Sequence, residues 1–178
     1  DAGPDESICL NNGALQLAGF SPVADINWFG DGVLDAATGV FDPLLTNDGI
    51  FTLYMEFGSG TCYSVDSIEV EVLPLPVLDA GSSSEFCGNV GLQTLEDFSP
   101  LGGTWEGLRI VDDALGVFDP SIGAGTSDLF YWYTSPLTGC SDTVNLAIEV
   151  LPVPVTDILV DPNACTNSAI EIENNGGA

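Results

Sequence analysis

The chain repeats itself. Asp1-Ala2-Gly3 recurs 78 residues later as Asp79-Ala80-Gly81, and Cys9 recurs at the same distance as Cys87. Phe20-Ser21-Pro22 returns as Phe98-Ser99-Pro100, Trp28 as Trp105 after a one-residue deletion, and the GVFDP run from Gly39 to Pro43 as Gly116 to Pro120. Tyr54 and Cys62 match Tyr131 and Cys140, and Leu73-Pro74-Leu75-Pro76 matches Leu151-Pro152-Val153-Pro154. A third copy opens at Val155, where Asp157 and Cys165 keep phase with Asp79 and Cys87, and stops unfinished. A period this long exceeds that of stacked solenoids and suits a small domain that owns its core. The expected organisation is repeat 1 over residues 1–76, repeat 2 over 77–154 and an incomplete start of repeat 3 over 155–178. Too few strands fit into that last stretch to bury a sandwich core, so it is expected to be ordered poorly or only against another chain.

Within each repeat the periodicity is that of strands. Ile68, Val70 and Val72 alternate with Ser67, Glu69 and Glu71, and Leu146, Ile148 and Val150 alternate with Asn145, Ala147 and Glu149. Leu53, Met55 and Phe57 alternate with Thr52, Tyr54 and Glu56, and the aromatic Tyr54 implies partial cover on both faces. Turn signals fall at Asn12-Gly13, Asp31-Gly32, Asp48-Gly49 and Gly102-Gly103, and no segment carries a helical stripe. The expected fold is all-β: tandem immunoglobulin-like β-sandwich domains set end to end, with Trp28 and Trp105 buried on strand C. The expected strands of repeat 1 cover residues 1–8, 14–20, the surroundings of Trp28 and of Val40-Phe41, 50–57 and 64–73. The proline links favour extended, stiff joins and therefore a rod.

Charge narrows the function. Twenty-seven acidic residues face a single basic one, Arg109, with neither Lys nor His, for a net charge of −26. Such a surface repels nucleic acid and anionic membranes, and calcium, which would relieve the repulsion, is an expected partner. Hydrophobic residues still make up 45% of the chain, too many for a disordered acidic tail. No apolar run reaches membrane-spanning length, and the DAGPDESI start lacks the features of a signal peptide, so a mature, soluble segment without membrane insertion is expected. Five cysteines with no C-x-x-C pair and no His suit disulfides in an oxidising compartment, outside the cell.

The residues that define the repeat also carry a family resemblance. The DAG and Cys near the start, Gly102 to Trp105 (GGTW), G-x-F-D-P, the Tyr-rich strand, Gly139 to Thr143 (GCSDT) and the closing Val-Leu-Pro-x-Pro resemble the repeats of Bacteroidota gliding-motility-associated cell-surface adhesins, SprB-like proteins among them. The resemblance covers both full repeats and the start of the third. It implies export by the type IX secretion system, display on the outer cell surface, and a sorting domain that this sequence lacks.

A search for chemistry yields little. Without His or Lys the usual general bases and Schiff-base nucleophiles are missing, and no enzymatic activity is expected. Asp112-Asp113 is the best carboxylate pair, but the matching stretch of repeat 1 keeps only Asp35, which reads as a solvated loop. Gly123-Ala124-Gly125 is followed by no helix and reads as a loop. No cofactor is expected apart from calcium, for which Asp42 and Asp119 are the candidates; each precedes a Pro and equally suits a turn cap. Trp132 and Tyr133, adjacent on a strand and so directed to opposite faces, are the candidate ligand platform.

The cysteines admit two schemes. An intradomain scheme joins Cys9 to Cys62 and Cys87 to Cys140, with Cys165 unpaired within the fragment. Strand topology leans to the other. Cys9 and Cys62 fall near opposite ends of a sandwich, whereas Cys9 would meet Cys140 of the next repeat if domains stack end to end, leaving Cys62 for a preceding repeat and Cys87 for a following one. The expected function is a structural and adhesive stalk segment of a large secreted surface adhesin. Its partners are neighbouring repeats of the same chain and a surface polysaccharide or substratum. The alternatives are a subunit of a self-assembling extracellular filament and an accessory carbohydrate-binding module of a secreted enzyme.

Overall fold

The computed structural model describes residues 1–59 and 62–155, so the expectation placed on the third copy lies almost wholly outside the described residues. The chain divides into two compact units: Asp1–Leu78 together with Trp132–Thr143, and Asp79–Tyr131 together with the chain from Val144. The sequence period assigns Trp132–Thr143 to repeat 2, yet the segment packs as part of the first unit.

Repeat 1 supplies β1 (Glu6–Cys9), β2 (Leu15–Gln16), β3 (Ile26–Phe29), β4 (Val33–Asp35), β5 (Val40–Phe41), β6 (Gly49–Ser59) and β7 (Cys62–Leu73). They form a four-stranded sheet in the order β1-β7-β6-β3 and a three-stranded sheet in the order β2-β5-β4. Repeat 2 supplies β8 (Glu85–Cys87), β9 (Gln93–Thr94), β10 (Thr104–Gly107), β11 (Ile110–Asp112), β12 (Val117–Phe118), β13 (Gly125–Thr134) and β14 (Ser141–Leu151). These repeat the pattern as β8-β14-β13-β10 and β9-β12-β11. The fold is thus all-β, a tandem of immunoglobulin-like sandwiches. In each copy the first strand pairs parallel with the last, and the remaining pairings recorded are antiparallel.

The alternating pattern seats the core where the strands require it. Ile68, Val70 and Val72 are buried, as are Leu146, Ile148 and Val150, while their neighbours Glu69, Glu71, Ala147 and Glu149 are exposed. Trp28 and Trp105 are each 1% exposed. Phe20 meets Trp28 edge-on at 5.5 Å, and Phe98 meets Trp105 edge-on at 5.4 Å. Both copies of Ser-Pro in the Phe-Ser-Pro run have cis peptide bonds.

The GVFDP run now has a physical account. Gly39 and Gly116 lie at φ +71° and +65°, and a Cβ on either would come within 2.7 and 2.8 Å of the indole Nε1 of Trp28 and Trp105. Phe41 and Phe118 are fully buried. Asp42 and Asp119 cap short 3-10 turns, Pro43–Leu45 and Pro120–Ile122, each with Pro in its first turn.

At two positions the structure departs from the expected pattern. Tyr131 is not the counterpart of Tyr54: Trp28 lies opposite Met55 on β6, and Tyr131 packs on Trp105 at 5.0 Å, so Tyr131 takes the place of Met55. Tyr131 is fully buried, whereas Tyr54 is 41% exposed and stacks on Phe29 at 5.4 Å. Phe57 does not continue the buried row of Leu53 and Met55 but lies open to solvent near the end of the β6–β7 hairpin.

Candidate functional site

The first candidate metal ligands are occupied by their own loops. The Asp42 carboxylate accepts from Leu44 N–H at 3.0 Å, and the Asp119 carboxylate accepts from Ser121 N–H at 2.9 Å and Ser121 Oγ–H at 2.6 Å. The Ser121 hydroxyl and then its N–H hold the Asp119 carboxyl below the usual carboxylate range. Among the described residues no three His, Cys, Asp or Glu side chains group as they would to hold a metal ion. Asp112 and Asp113 do not act as a pair. Asp112 accepts from Ala114 and Leu115 N–H at 3.2 and 3.0 Å, just as Asp35 accepts from Ala37 and Thr38 N–H at 2.9 and 3.2 Å.

Gly123-Ala124-Gly125 serves Arg109. The guanidinium of this buried residue donates to the carbonyls of Gly123 at 2.7 Å and Gly125 at 3.3 Å, and to Ser127 Oγ. The single basic side chain of the protein is therefore enclosed by neutral acceptors. Of the aromatic candidates, Trp132 is 44% exposed and Tyr133 is half-buried, so only Trp132 offers a broad face to solvent.

What the structure does assemble is a covalent joint. Cys9 and Cys140 form a disulfide with their Cα atoms 5.6 Å apart, within the range such bonds occupy. Cys62 and Cys87 are free and exposed. The intradomain scheme is overturned, and register gives the reason. β1 runs parallel to β7 with Cys9 opposite Leu73, whereas Cys62 opens β7 at its other end. Eleven residues of strand separate the two levels by about 37 Å, far beyond the roughly 7 Å that a bridge tolerates. Likewise Cys87 lies opposite Leu151, at the far end of β14 from Cys140.

Each half of the joint is held by its own backbone. On the Cys9 side, Leu10 N–H donates to Leu73 O at 3.1 Å and Asn12 N–H donates to Cys9 O at 3.0 Å, which turns the chain directly after the cysteine. On the Cys140 side, Ser135 N–H donates to Cys140 O at 2.8 Å, Gly139 N–H to Ser135 O at 2.8 Å, and Cys140 N–H to Thr138 Oγ1 at 3.2 Å. Thr134 Oγ1 and Ser141 Oγ lie 2.7 Å apart across the base of the tip. One further bond joins the halves: Asn11 Nδ2–H donates to Ser141 O at 3.0 Å. Sequence reasoning missed Asn11, although the signal was there. Cys9-Leu10-Asn11, Cys87-Gly88-Asn89 and Cys165-Thr166-Asn167 place Asn two residues after the cysteine in every copy.

No protein-family model and no curated protein matches this chain. Solved structures do. The chain is similar to Drosophila N-cadherin EC1-3, with 14% identity, a TM-score of 0.34, and coverage of 84% of this chain and 65% of that one. It is similar to Sidekick-1 immunoglobulin domains 1–4, with 13% identity, a TM-score of 0.33, and coverage of 85% and 48%. It is also similar to zebrafish RET cadherin-like domains 1 to 4, with 9% identity, a TM-score of 0.32, and coverage of 92% and 49%. The chain thus spans less than two thirds of each of these structures. Likenesses this distant carry no function, and the immunoglobulin-like class rests on the sheets themselves.

Proposed function

We propose that this chain is a structural and adhesive segment of a larger protein displayed outside the cell, where successive repeats are joined covalently and present an acidic surface. The observation that carries this reading is the Cys9–Cys140 disulfide, which ties cysteines that the sequence period places in different repeats. Such a bond persists in an oxidising compartment and holds neighbouring repeats together without any demand on their own marginal cores. The resemblance to Bacteroidota gliding-motility adhesin repeats supplies the finer proposal: a stalk on the outer surface, exported by the type IX route, with calcium taken up on the acidic faces. Among the described residues no helix is long and apolar enough to cross a membrane.

The test is made on the organism that encodes the chain. Antibodies against it are expected to label intact cells, and their Fab fragments to reduce attachment to a surface. Labelling that appears only after permeabilisation overturns the proposal. The exposed face of Trp132 favours one second reading, a carbohydrate-binding module. Binding on a glycan array that Trp132→Ala abolishes would establish it.

A further inference from the structure

Both cysteines of the Cys9–Cys140 joint have a counterpart at the same register in the other repeat, and these counterparts are unbonded. Cys87 reproduces Cys9 in detail. Each cysteine ends the first strand of its copy, paired parallel with the last residue of the closing strand, Cys9 with Leu73 and Cys87 with Leu151. The same two backbone bonds follow: Leu10 N–H to Leu73 O and Gly88 N–H to Leu151 O, then Asn12 N–H to Cys9 O and Val90 N–H to Cys87 O. Both cysteines point away from the core, since the preceding Ile8 and Phe86 point inward. Asn89 stands where Asn11 stands.

Cys62 holds the register of Cys140, although it opens β7 opposite Ser59 whereas Cys140 directly precedes β14. Each lies eleven residues before the end of its closing strand, at Leu73 and Leu151, and on the same strand parity as the buried rows of Ile68 to Val72 and Leu146 to Val150. Cys62 is exposed with its thiol free. Two free thiols alone would define nothing. The bonded copy of the same pair in the same chain identifies what each of them fits.

We propose that Cys87 and Cys62 are complementary ends, and that in an oxidising medium Cys87 of one copy of this chain bonds to Cys62 of the next, head to tail and never like to like. The chemistry is thiol–disulfide exchange with a small disulfide such as oxidised glutathione. The Cys87 thiolate attacks one sulfur of the oxidant and expels a thiolate, leaving a mixed disulfide on Cys87. The Cys62 thiolate of the second copy then attacks the Cys87 sulfur and expels the second thiolate. Two protein thiols and one small disulfide become one protein disulfide and two small thiols. Asn89 of the first copy donates to the carbonyl of Tyr63 of the second, as Asn11 donates to that of Ser141. This deepens the reading of the chain as a joined array, and rests on it only in requiring an oxidising compartment.

The experiment uses the whole chain carrying Cys165→Ser, so that only Cys62 and Cys87 are free, in a glutathione redox buffer. Products are resolved on non-reducing gels and mapped by mass spectrometry of the linked peptides. A ladder of dimers, trimers and longer species joined by Cys62–Cys87 peptides is expected. In the same background Cys62→Ser or Cys87→Ser alone stays monomeric, and a mixture of the two gives one heterodimer and nothing longer. Asn89→Ala is expected to slow heterodimer formation severalfold, whereas Asn27→Ala, far from either cysteine in sequence, leaves it unchanged. Chains that stay monomeric with both thiols titratable overturn the proposal, as do homotypic Cys62–Cys62 or Cys87–Cys87 peptides in amounts comparable to the mixed one. Failure of the ladder leaves surface labelling of cells untouched, so the two proposals fall separately.

Discussion

At the scale of single residues, Gly39, Gly116 and Arg109 hold positions that alanine does not fill. A methyl group on Gly116 would meet the Trp105 indole at 2.8 Å on a backbone at φ +65°, so Gly116→Ala combines steric overlap with a left-handed conformation. It is expected to cost about 2–3 kcal/mol, measured by urea unfolding, and Gly39→Ala should cost a similar amount against Trp28. Arg109 is a different case, because its value lies in what it satisfies. Arg109→Ala leaves the carbonyls of Gly123 and Gly125 without their donors, and a loss of about 3 kcal/mol is expected by the same measurement. Neither role was readable from sequence. Repetition marked the glycine as part of a motif, but the tryptophan it lies against is eleven residues away on another strand. Arg109 has Gly32 as its counterpart in repeat 1, so the period pointed away from it.

Among the elements, the 3-10 turn capped by Asp119 gives the clearest pH signature. Hydrogen bonds from Ser121 hold the Asp119 carboxyl below its ordinary value of 3.8. A carboxyl whose pKa is lowered on folding stabilises the fold above that ordinary value, and the contribution is lost as pH falls through the lowered one. The difference in melting temperature between the parent chain and Asp119→Ala is therefore expected to shrink when the pH is taken from 5 to below about 3. Comparing the two chains at each pH removes the general relief of self-repulsion that acid brings to both. The long strands β6, β7, β13 and β14 were readable because alternation persists over many residues. The three-residue strands β4 and β11 were not. Each pairs across a bulge, between Val33 and Asp35 and between Ile110 and Asp112, which breaks the two-residue period from which a strand is recognised. The Tyr54 to Tyr131 match failed for a related reason. Three residues separate the 3-10 turn from β6 but two separate it from β13, and a one-residue slip moves a side chain to the opposite face.

The whole molecule carries a net charge of −26 that favours any cation able to bind the folded state better than the unfolded one. Replacing sodium by millimolar calcium at matched ionic strength is expected to raise the melting temperature by a few degrees, followed by calorimetry. An unchanged value would leave screening as the whole effect. At this scale the sequence went furthest with the cysteines. Strand order placed Cys9 and Cys62 at opposite ends of a sandwich, which leaned towards the pairing of Cys9 with Cys140 but left both schemes open. The Asn11 to Ser141 bond went unread: Asn recurs two residues after each cysteine, but its acceptor lies 130 residues away and nothing in the repeat names it.

The disulfide also decides where tension travels. A chain pulled by its two ends transmits load along covalent bonds, and the sulfur bridge short-circuits everything between Cys9 and Cys140. The strands from β2 to β13 lie inside that loop and are shielded from direct pull, while the bridge and the flanking strands β1 and β14 bear it. The shielded loop spans 131 residues, a hidden contour of about 450 Å. In force spectroscopy the oxidised chain is expected to extend by that much less than the reduced one. A reductant added under load would release the stored length, so that a redox change at one bond becomes a change in reach.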